Sequence, residues 1–322
     1  AGAGQHGDGS LNQFPPATQN KSFYGAMIYG VADRQDRMRL IDIAWKDVMN
    51  YTRLNTTINN GVGHIELAAP DEFNRMPPAF WNEFPAAVME MDSSGTVRAL
   101  VISAQGKHFS SGMDTTAFTT PVPQQSFDAG RRGERARRNL AGLQEAFTTI
   151  EKTRMPVLAA IQGACIGGGV DMVSTCDMRY CTSDAFFCIQ EINIGLSADV
   201  GTLQRLPNLI PDGLMRELAY TGRRLFAEEA KEIGLVNNVY ATHDEMLTSV
   251  MSIAREIASK SPLAVTSTKH LLNYGREHSI QETLAYQSVW MGAVSQGTEM
   301  QTYFRAKSEG DEPSYADLPP LD

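Results

Sequence analysis

The fold of this chain is decided largely by one stretch of its sequence, Ile161-Gln-Gly-Ala-Cys-Ile-Gly-Gly-Gly-Val-Asp171. An apolar run of strand length and composition, Val157 to Ile161, leads into this stretch. An apolar helical segment, Met172 to Thr175, follows it. Three consecutive glycines at such a junction let backbone N–H groups approach a ligand beside a helix start, where partial positive charge stabilises an anion. The stretch therefore indicates an oxyanion hole, with tight strand–helix packing or a phosphate cradle as the alternatives.

A second segment, Lys107-His-Phe-Ser-Ser-Gly-Met-Asp114, follows another predicted strand and again places a glycine before a residue whose N–H could point into a pocket. Neither segment has the spacing of a dinucleotide-binding or P-loop motif, which weakens a nucleotide-phosphate interpretation. Ser110 and Ser111 do not lie in a GxSxG elbow, which weakens a serine-hydrolase interpretation. The two segments together favour a pair of converging N–H donors.

The rest of the chain alternates short apolar runs with longer amphipathic segments, which is typical of an α/β fold with parallel strand pairing. The predicted strands cover residues 64–68, 99–103, 157–161 and 178–181. The predicted helices cover residues 37–51, 78–91, 131–154, 213–220, 227–233, 242–259 and 262–274, with a helix-rich tail after Ser279. We divide the chain into an N-terminal extension (1–55, with a flexible arm over about the first 20 residues), a core (56–260) and a C-terminal helical region (261–322).

Composition excludes several classes of protein. Of the 322 residues, 42% are hydrophobic and 20% charged, as in an ordinary globular protein. The net charge of −9 argues against a general nucleic-acid binder, which needs a basic face. Since no apolar run approaches the roughly 20 residues of a membrane helix, no membrane partner is expected.

The four cysteines lie close together, without metal-ligand spacing to histidine, so we expect reduced, structural cysteines, no metal site and an intracellular compartment. A cluster of five arginines begins at Arg131. Such a cluster is more often a solvated face than a ligand site, although it could contact phosphates or a neighbouring subunit.

The two glycine-containing segments resemble the paired oxyanion-hole signature of the crotonase (enoyl-CoA hydratase/isomerase) superfamily, over about residues 63–276. The resemblance implies a spiral of ββα units with a C-terminal helical region, a homotrimer or homohexamer, an acyl-CoA thioester substrate and no cofactor beyond the coenzyme A of that substrate. It also implies that the N–H groups of Met113 and Gly168 hold the thioester oxygen. Further residues of the two motifs are expected to contact the substrate: Ser111, Gly112, Asp114 and Gly167.

Three carboxylates follow the glycines: Asp171, Glu191 and Asp199. Enoyl-CoA hydratases resemble this chain but carry Glu at positions 171 and 191 and usually a small residue near 199. The trio here closely resembles that of the Δ3,5-Δ2,4-dienoyl-CoA isomerases of fatty-acid β-oxidation. That reaction removes a proton at C2 and delivers one at C6, and we assign Glu191 to C2, Asp199 to C6 and Asp171 to tuning near the oxyanion. For any one of them alone, a cap or loop role would be the simpler interpretation.

One departure concerns coenzyme A. The family usually has a basic pair after the proline that follows its first strand, but here Pro70 is followed by Asp71-Glu72-Phe73-Asn74-Arg75. We expect the phosphates to be contacted instead by Arg75, by Lys269 or by the arginine cluster.

The alternatives are hydration or Δ3-Δ2 isomerisation on the same scaffold, or a non-catalytic acyl-CoA- or RNA-binding homologue. The carboxylate trio and the net acidity disfavour them. The expected compartment is the mitochondrion or peroxisome in a eukaryote and the cytoplasm in a bacterium, although the sequence given ends in Pro319-Pro320-Leu321-Asp322 and not in an SKL-type tripeptide.

Overall fold

Two β-sheets form the centre of the fold in a computed structural model that describes residues 51–116 and 127–321. The strands are β1 (Leu54–Asn59), β2 (Val62–Leu67), β3 (Ala99–Ala104), β4 (Val157–Ile161), β5 (Ala164–Ile166), β6 (Met178–Thr182), β7 (Phe186–Cys188), β8 (Leu225–Phe226) and β9 (Asn238–Tyr240). The larger sheet has the strand order β1-β2-β3-β4-β6-β9, and the smaller has the order β5-β7-β8. Among the strands of the described residues, β1–β2 and β7–β8 pair antiparallel and the other pairs are parallel, as expected for crossovers that run through helices.

Helices surround these sheets and confirm the α/β prediction. They are α1 (Phe80–Ser93), α2 (Ala129–Lys152), α3 (Gly168–Ser174), α4 (Thr202–Arg205), α5 (Asp212–Thr221), α6 (Ala227–Glu232), α7 (His243–Ala258), α8 (Pro262–Gly275), α9 (Ile280–Ala293) and α10 (Gly297–Glu309). The six helices predicted between residues 78 and 274 begin and end within two residues of their expected bounds. Of the predicted helix over residues 37–51, all but Tyr51 lies outside the described residues, as does the predicted flexible arm.

The larger sheet separates two apolar layers, because successive strand residues point to opposite faces. On one face, Leu100 and Ile102 of β3 pack in a cluster with Phe84 of α1 and Phe147 of α2. These four side chains are fully buried. On the other face, Val101 packs in a second cluster with the side chains of α7. The first layer lies on the side of the sheet from which the glycine-containing segments are built.

The chain beyond α10 returns to the body of the protein. Arg98 Nη2 donates to the carbonyl oxygen of Tyr315 (2.6 Å) and pairs with Asp317 (2.8 Å). Arg154 Nη1 donates to the carbonyl oxygen of Pro319 (2.7 Å). The Pro-rich terminus is therefore held against the core by two arginines. Among the described helices, none is long and apolar enough to cross a membrane.

Candidate active site

The two glycine-containing segments lie side by side because the upstream segment pairs directly with β5, which is part of the other segment. Ser110 N donates to the carbonyl oxygen of Ala164 and Ile166 N donates to that of Ser110, both at 3.0 Å, so the upstream segment extends the pairing of β5. On its other side, Met76 N donates to the carbonyl oxygen of Gly112 at 2.8 Å. Met113, the residue after Gly112, is thereby held next to the start of α3.

The two N–H groups expected to form the oxyanion hole, those of Met113 and Gly168, are neighbours. A Cβ atom added to Gly168 would lie 3.6 Å from Met113 N, and one added to Gly112 would lie 3.2 Å from Gly168 N. Within the described part of the chain, neither N–H donates a hydrogen bond. Two adjacent backbone donors without partners can bind an oxygen that develops negative charge.

Glycine is required at the two positions that bring these donors together. Gly112 has φ +84°, and a Cβ there would lie 2.7 Å from the carbonyl oxygen of Ile166. Gly167 has φ +52°, and a Cβ there would lie 3.0 Å from Glu191 Oε1. The second distance also places the Glu191 carboxylate directly beside the oxyanion-hole segment.

Asp171 lies in the first turn of α3 and is 1% exposed. Its Oδ1 accepts two hydrogen bonds from Thr202, one from N (2.8 Å) and one from Oγ1 (2.7 Å). Burial raises the pKa of Asp171 to about 6, and the hydrogen bonds from Thr202 oppose that rise. This carboxyl group therefore changes charge near neutral pH.

Glu191 belongs to a 3₁₀ helix, Gln190–Ile194, that follows β7. Burial raises its pKa to about 7, and repulsion from Asp171 and then from Asp199 adds to the rise. A carboxylate with a pKa near the working pH is suited to general-base catalysis, because it is both available and basic enough to accept a proton.

Asp199 lies eight residues further on, in the segment that leads to α4. Gln144 Nε2 donates to its backbone carbonyl oxygen at 2.7 Å, which ties this segment to α2. Partial burial raises the pKa of Asp199. Because repulsion from Asp199 also raises the pKa values of Asp171 and Glu191, the three carboxyl groups act on one another electrostatically.

The remaining predicted contacts of the upstream motif form a network at its edge. Ser111 N donates to the carbonyl oxygen of Phe73 (3.0 Å). Asp114 pairs with Arg75 (2.8 Å), and Arg75 also pairs with Glu72 (2.7 Å). Hydrogen bonds from Thr116 and the nearby Arg75 hold the pKa of Asp114 below its ordinary value. Arg75 keeps 38% of its side chain exposed, so it is accessible at this edge.

Lys269 has a different environment from the one expected of a phosphate contact. It is 6% exposed, and its Nζ pairs with Asp177 (2.9 Å). The same Nζ donates to the carbonyl oxygens of Ile150 (3.0 Å) and Met155 (2.9 Å) and to Thr153 Oγ1 (3.0 Å). With four acceptors around its buried ammonium group, Lys269 joins α8 to the end of α2, and its contact with coenzyme A stays a prediction.

The arginine cluster lies on the exposed first half of α2. Arg131 pairs with Asp128, and Arg137 and Arg138 both pair with Glu134. All four cysteines are buried and none forms a disulfide. In residues 51–116 and 127–321, no group of three or more His, Cys, Asp or Glu side chains could hold a metal ion.

Two residues important for the site were missed by sequence reasoning. Thr202 anchors Asp171, and its only sequence signal is a hydroxyl residue three positions after Asp199. Asn74, at φ +50°, accepts from Ala69 N and donates to the carbonyl oxygens of Gln105 and His108. Its backbone oxygen also accepts from Ser110 Oγ at 2.8 Å, so a left-handed asparagine holds the upstream segment in place.

Comparison with known proteins agrees with this arrangement. Residues 57–316 match the family model described as enoyl-CoA hydratase/isomerase. The peroxisomal Δ3,5-Δ2,4-dienoyl-CoA isomerase of Arabidopsis thaliana is 41% identical over 268 residues, which cover 83% of this chain and 96% of that protein. The mitochondrial Δ3,5-Δ2,4-dienoyl-CoA isomerase of Mus musculus is 44% identical over 244 residues, or 75% of each chain.

A solved structure has the same fold at lower sequence identity. The enoyl-CoA hydratase of Bacillus anthracis superposes with a TM-score of 0.74 and 26% sequence identity, covering 82% of this chain and 99% of that one. The comparison therefore supports the backbone arrangement on which the candidate site is built.

Proposed function

This chain belongs to the enoyl-CoA hydratase/isomerase family, and we propose that it isomerises 3,5-dienoyl-CoA thioesters to 2,4-dienoyl-CoA thioesters in fatty-acid β-oxidation. The observation that carries the proposal is the grouping of Asp171, Glu191 and Asp199 next to two unpaired backbone N–H groups, where Asp199 raises the pKa values of both other carboxyl groups and Asp171 raises that of Glu191. The relatives named as dienoyl-CoA isomerases support the same activity.

The first step is removal of the C2 proton by the Glu191 carboxylate. The electron pair of the C2–H bond moves into the conjugated system, and negative charge develops on the thioester oxygen. The N–H groups of Met113 and Gly168 hydrogen-bond to that oxygen, and one such donor typically contributes about 10²–10³ in rate. Glu191 is suitable as the base because its pKa of about 7 leaves a useful fraction ionised at neutral pH.

The second step is delivery of a proton to C6 by the Asp199 carboxyl group. The electrons then settle as double bonds at C2 and C4, and the negative charge leaves the thioester oxygen. Partial burial raises the pKa of Asp199, so this group takes up a proton more readily than a fully solvated aspartate does. The substrate loses a proton at C2 and gains one at C6, which leaves Glu191 protonated and Asp199 ionised. Proton exchange with solvent then returns both groups to their starting states, and the reaction balances without any change of oxidation state.

Asp171 takes the third role, in tuning the charge of the site. Its ionised form raises the pKa of Glu191, so its protonation state decides how basic Glu191 is. Ser111, Gly112 and Gly167 form the backbone wall beside the thioester. Arg75, which is paired with Asp114 but still partly exposed, is the proposed contact for the coenzyme A phosphates.

We infer that the active form is a homotrimer or homohexamer. Helix α9 buries none of its residues in the single chain and leaves Ile280 (82%), Leu284 (59%) and Val289 (70%) exposed. Phe304 on α10 is 64% exposed. Apolar exposure along two consecutive helices favours contact with further copies of the chain. Because the named relatives are mitochondrial and peroxisomal proteins, we propose one of these compartments in a eukaryotic cell.

The test is ultraviolet absorbance during incubation with a 3,5-dienoyl-CoA, since the conjugated 2,4-dienoyl thioester absorbs differently from the substrate. We expect product with the wild type and a loss of at least about 100-fold in kcat for Glu191→Gln and Asp199→Asn. Glu256→Gln and Asp244→Asn are matched controls, because both carboxylates are largely exposed on α7. An inert wild type would refute the proposal.

A second assay separates the related reactions. If the wild type converts a 2-enoyl-CoA to a 3-hydroxyacyl-CoA faster than it isomerises the dienoyl substrate, hydration is the main activity. If it converts a 3-enoyl-CoA to the 2-enoyl isomer with a higher kcat/KM than it shows for the dienoyl substrate, Δ3-Δ2 isomerisation is the main activity. Salt-sensitive RNA binding without turnover would place the chain among non-catalytic homologues.

A further inference from the structure

The two oxygens of Asp171 are held unequally. Oδ1 accepts both hydrogen bonds that Thr202 can donate, from N at 2.8 Å and from Oγ1 at 2.7 Å. In the described part of the chain, no group donates a hydrogen bond to Oδ2. This oxygen is also not completely shielded from solvent. The carboxyl group is thus anchored through one oxygen only.

The residue before Thr202 has a backbone conformation that favours glycine. Gly201 has φ +132°, and a Cβ there would lie within the Arg205 guanidinium group. Arg205 is itself held by Glu151, at 3.0 Å from Nε and 2.7 Å from Nη2. Thr202 is 1% exposed, so its hydroxyl and N–H are shielded from bulk solvent. Both donors are fixed on Asp171 before any substrate arrives.

Several charged or titratable groups act on Asp171. Asp199 raises its pKa by repulsion, and Arg205 lowers it by attraction. On the other side, Asp171 in turn raises the pKa values of Glu191 and Cys165. None of these four groups donates a hydrogen bond to the Asp171 carboxyl group. Among the described residues, Thr202 alone does so. Thr202 is therefore the direct control on how this carboxyl group is oriented and ionised.

We propose that Thr202 is a positioning residue for the isomerisation. Its two hydrogen bonds occupy Oδ1 and leave Oδ2 as the oxygen that gains and loses the proton. Thr202 thereby sets the charge that Asp171 presents to Glu191. This inference rests on the proposed roles of the carboxyl groups and deepens them. The Thr202 hydroxyl stabilises the ionised form of Asp171, and the ionised Asp171 keeps Glu191 basic.

The test uses Thr202→Val, which removes the hydroxyl donor but keeps the backbone donor, with Thr202→Ser as the matched control that keeps both. A hydrogen bond to a charged group is typically worth about one pH unit or more in pKa. We expect the Asp171 midpoint to rise by about one pH unit in Thr202→Val. The acidic limb of the kcat/KM profile, set by Glu191, should then move to lower pH, while Thr202→Ser should match the wild type.

The Asp171 midpoint is measured in the full-length protein without substrate by infrared difference spectroscopy over pH, with Asp171→Asn used to assign the band. This readout does not depend on turnover, so it stays informative even if the wild type proves not to be an isomerase. Thr202→Ala is the second variant if Thr202→Val does not fold. The inference is overturned if the Asp171 band titrates as in the wild type, or if Thr202→Ser shifts it as much as Thr202→Val does.

Discussion

Replacing Lys269 with methionine tests whether this lysine holds the fold together or contacts substrate. Methionine keeps the apolar part of the side chain but removes the ammonium group, which pairs with Asp177 at 2.9 Å and donates to the carbonyl oxygens of Ile150 and Met155 and to Thr153 Oγ1. Removing one partner of a fully buried ion pair costs about 3–5 kcal/mol, and the 21% exposure of Asp177 and its hydrogen bond from Val157 N place the expected cost at the lower end, about 3 kcal/mol. We expect Lys269→Met to lose that much of the free energy of unfolding.

The size of the effect is measured by urea unfolding at fixed protein concentration, since association of copies would add to stability. Asp177→Asn and the double variant complete a mutant cycle, and a coupling of about 1 kcal/mol or more indicates a direct interaction. Asp177 also accepts from Val157 N at 2.8 Å, so Asp177→Asn is destabilising in its own right. Lys260→Met is a control, because Lys260 is exposed and its contact with Glu256 is 3.9 Å long.

Kinetics distinguish the two roles. If Lys269 is structural, the folded fraction of Lys269→Met at low temperature should show a KM for the acyl-CoA substrate within about twofold of the wild type, since a lost packing contact leaves the binding site unchanged. The reasoning would be refuted by a variant of wild-type stability whose KM rises tenfold or more. That result would mean that the ammonium group leaves its four acceptors when the substrate binds.

Three further results are expected. The kcat/KM of the wild type should rise with pH through about 7, because Glu191 must be ionised in the free enzyme, and this limb should be absent from the residual activity of Glu191→Gln. Gly167→Ala should lower kcat by about 10²-fold with a smaller change in KM. The reason is that φ +52° is strained for alanine and that its Cβ would lie 3.0 Å from Glu191 Oε1. Circular dichroism checks that the variant is folded. Asp171→Asn should be more stable than the wild type at pH 8 but not at pH 4. Because the native pKa of Asp171 is raised to about 6, the wild type loses about 3 kcal/mol of its free energy of unfolding as pH rises from about 4 to about 6. Urea unfolding of both proteins at the two pH values measures this difference.

Much of the architecture was predictable because its strands and helices are long enough to show their periodicity. Strand β4 was predicted with its observed bounds, and α2, with 24 residues, within two residues at each end. Strands β5, β7, β8 and β9 were not predicted, since two or three residues carry no pattern that separates them from loop. The β1–β2 hairpin was also missed, although Asn60-Gly61, with φ +50° and +75°, is a favoured two-residue turn.

The candidate site was predictable in its backbone and not in its side-chain partners. The glycines predicted the two N–H donors, because only glycine fits the close approach at Gly112 and the positive φ at Gly167. The buried role of Lys269 could not be predicted, since its four acceptors come from the end of α2, the segment after it and Asp177, more than 90 residues earlier in the sequence. A surface lysine and a buried lysine look the same in a sequence until the partners are known.

The carboxyl groups of the site are held in a way that opposes stability and favours catalysis. Burial, with repulsion from neighbouring carboxylates, raises the pKa values of Asp171 and Glu191 towards neutrality, which means that the folded protein binds protons that the unfolded chain would release. The native state is destabilised to that extent at pH 7. In return, small changes in local charge decide which carboxyl group carries a proton, and a reaction that removes one proton and delivers another needs that sensitivity. Thr202 limits the destabilisation at Asp171 without removing the sensitivity, because it hydrogen-bonds one oxygen and leaves the other open.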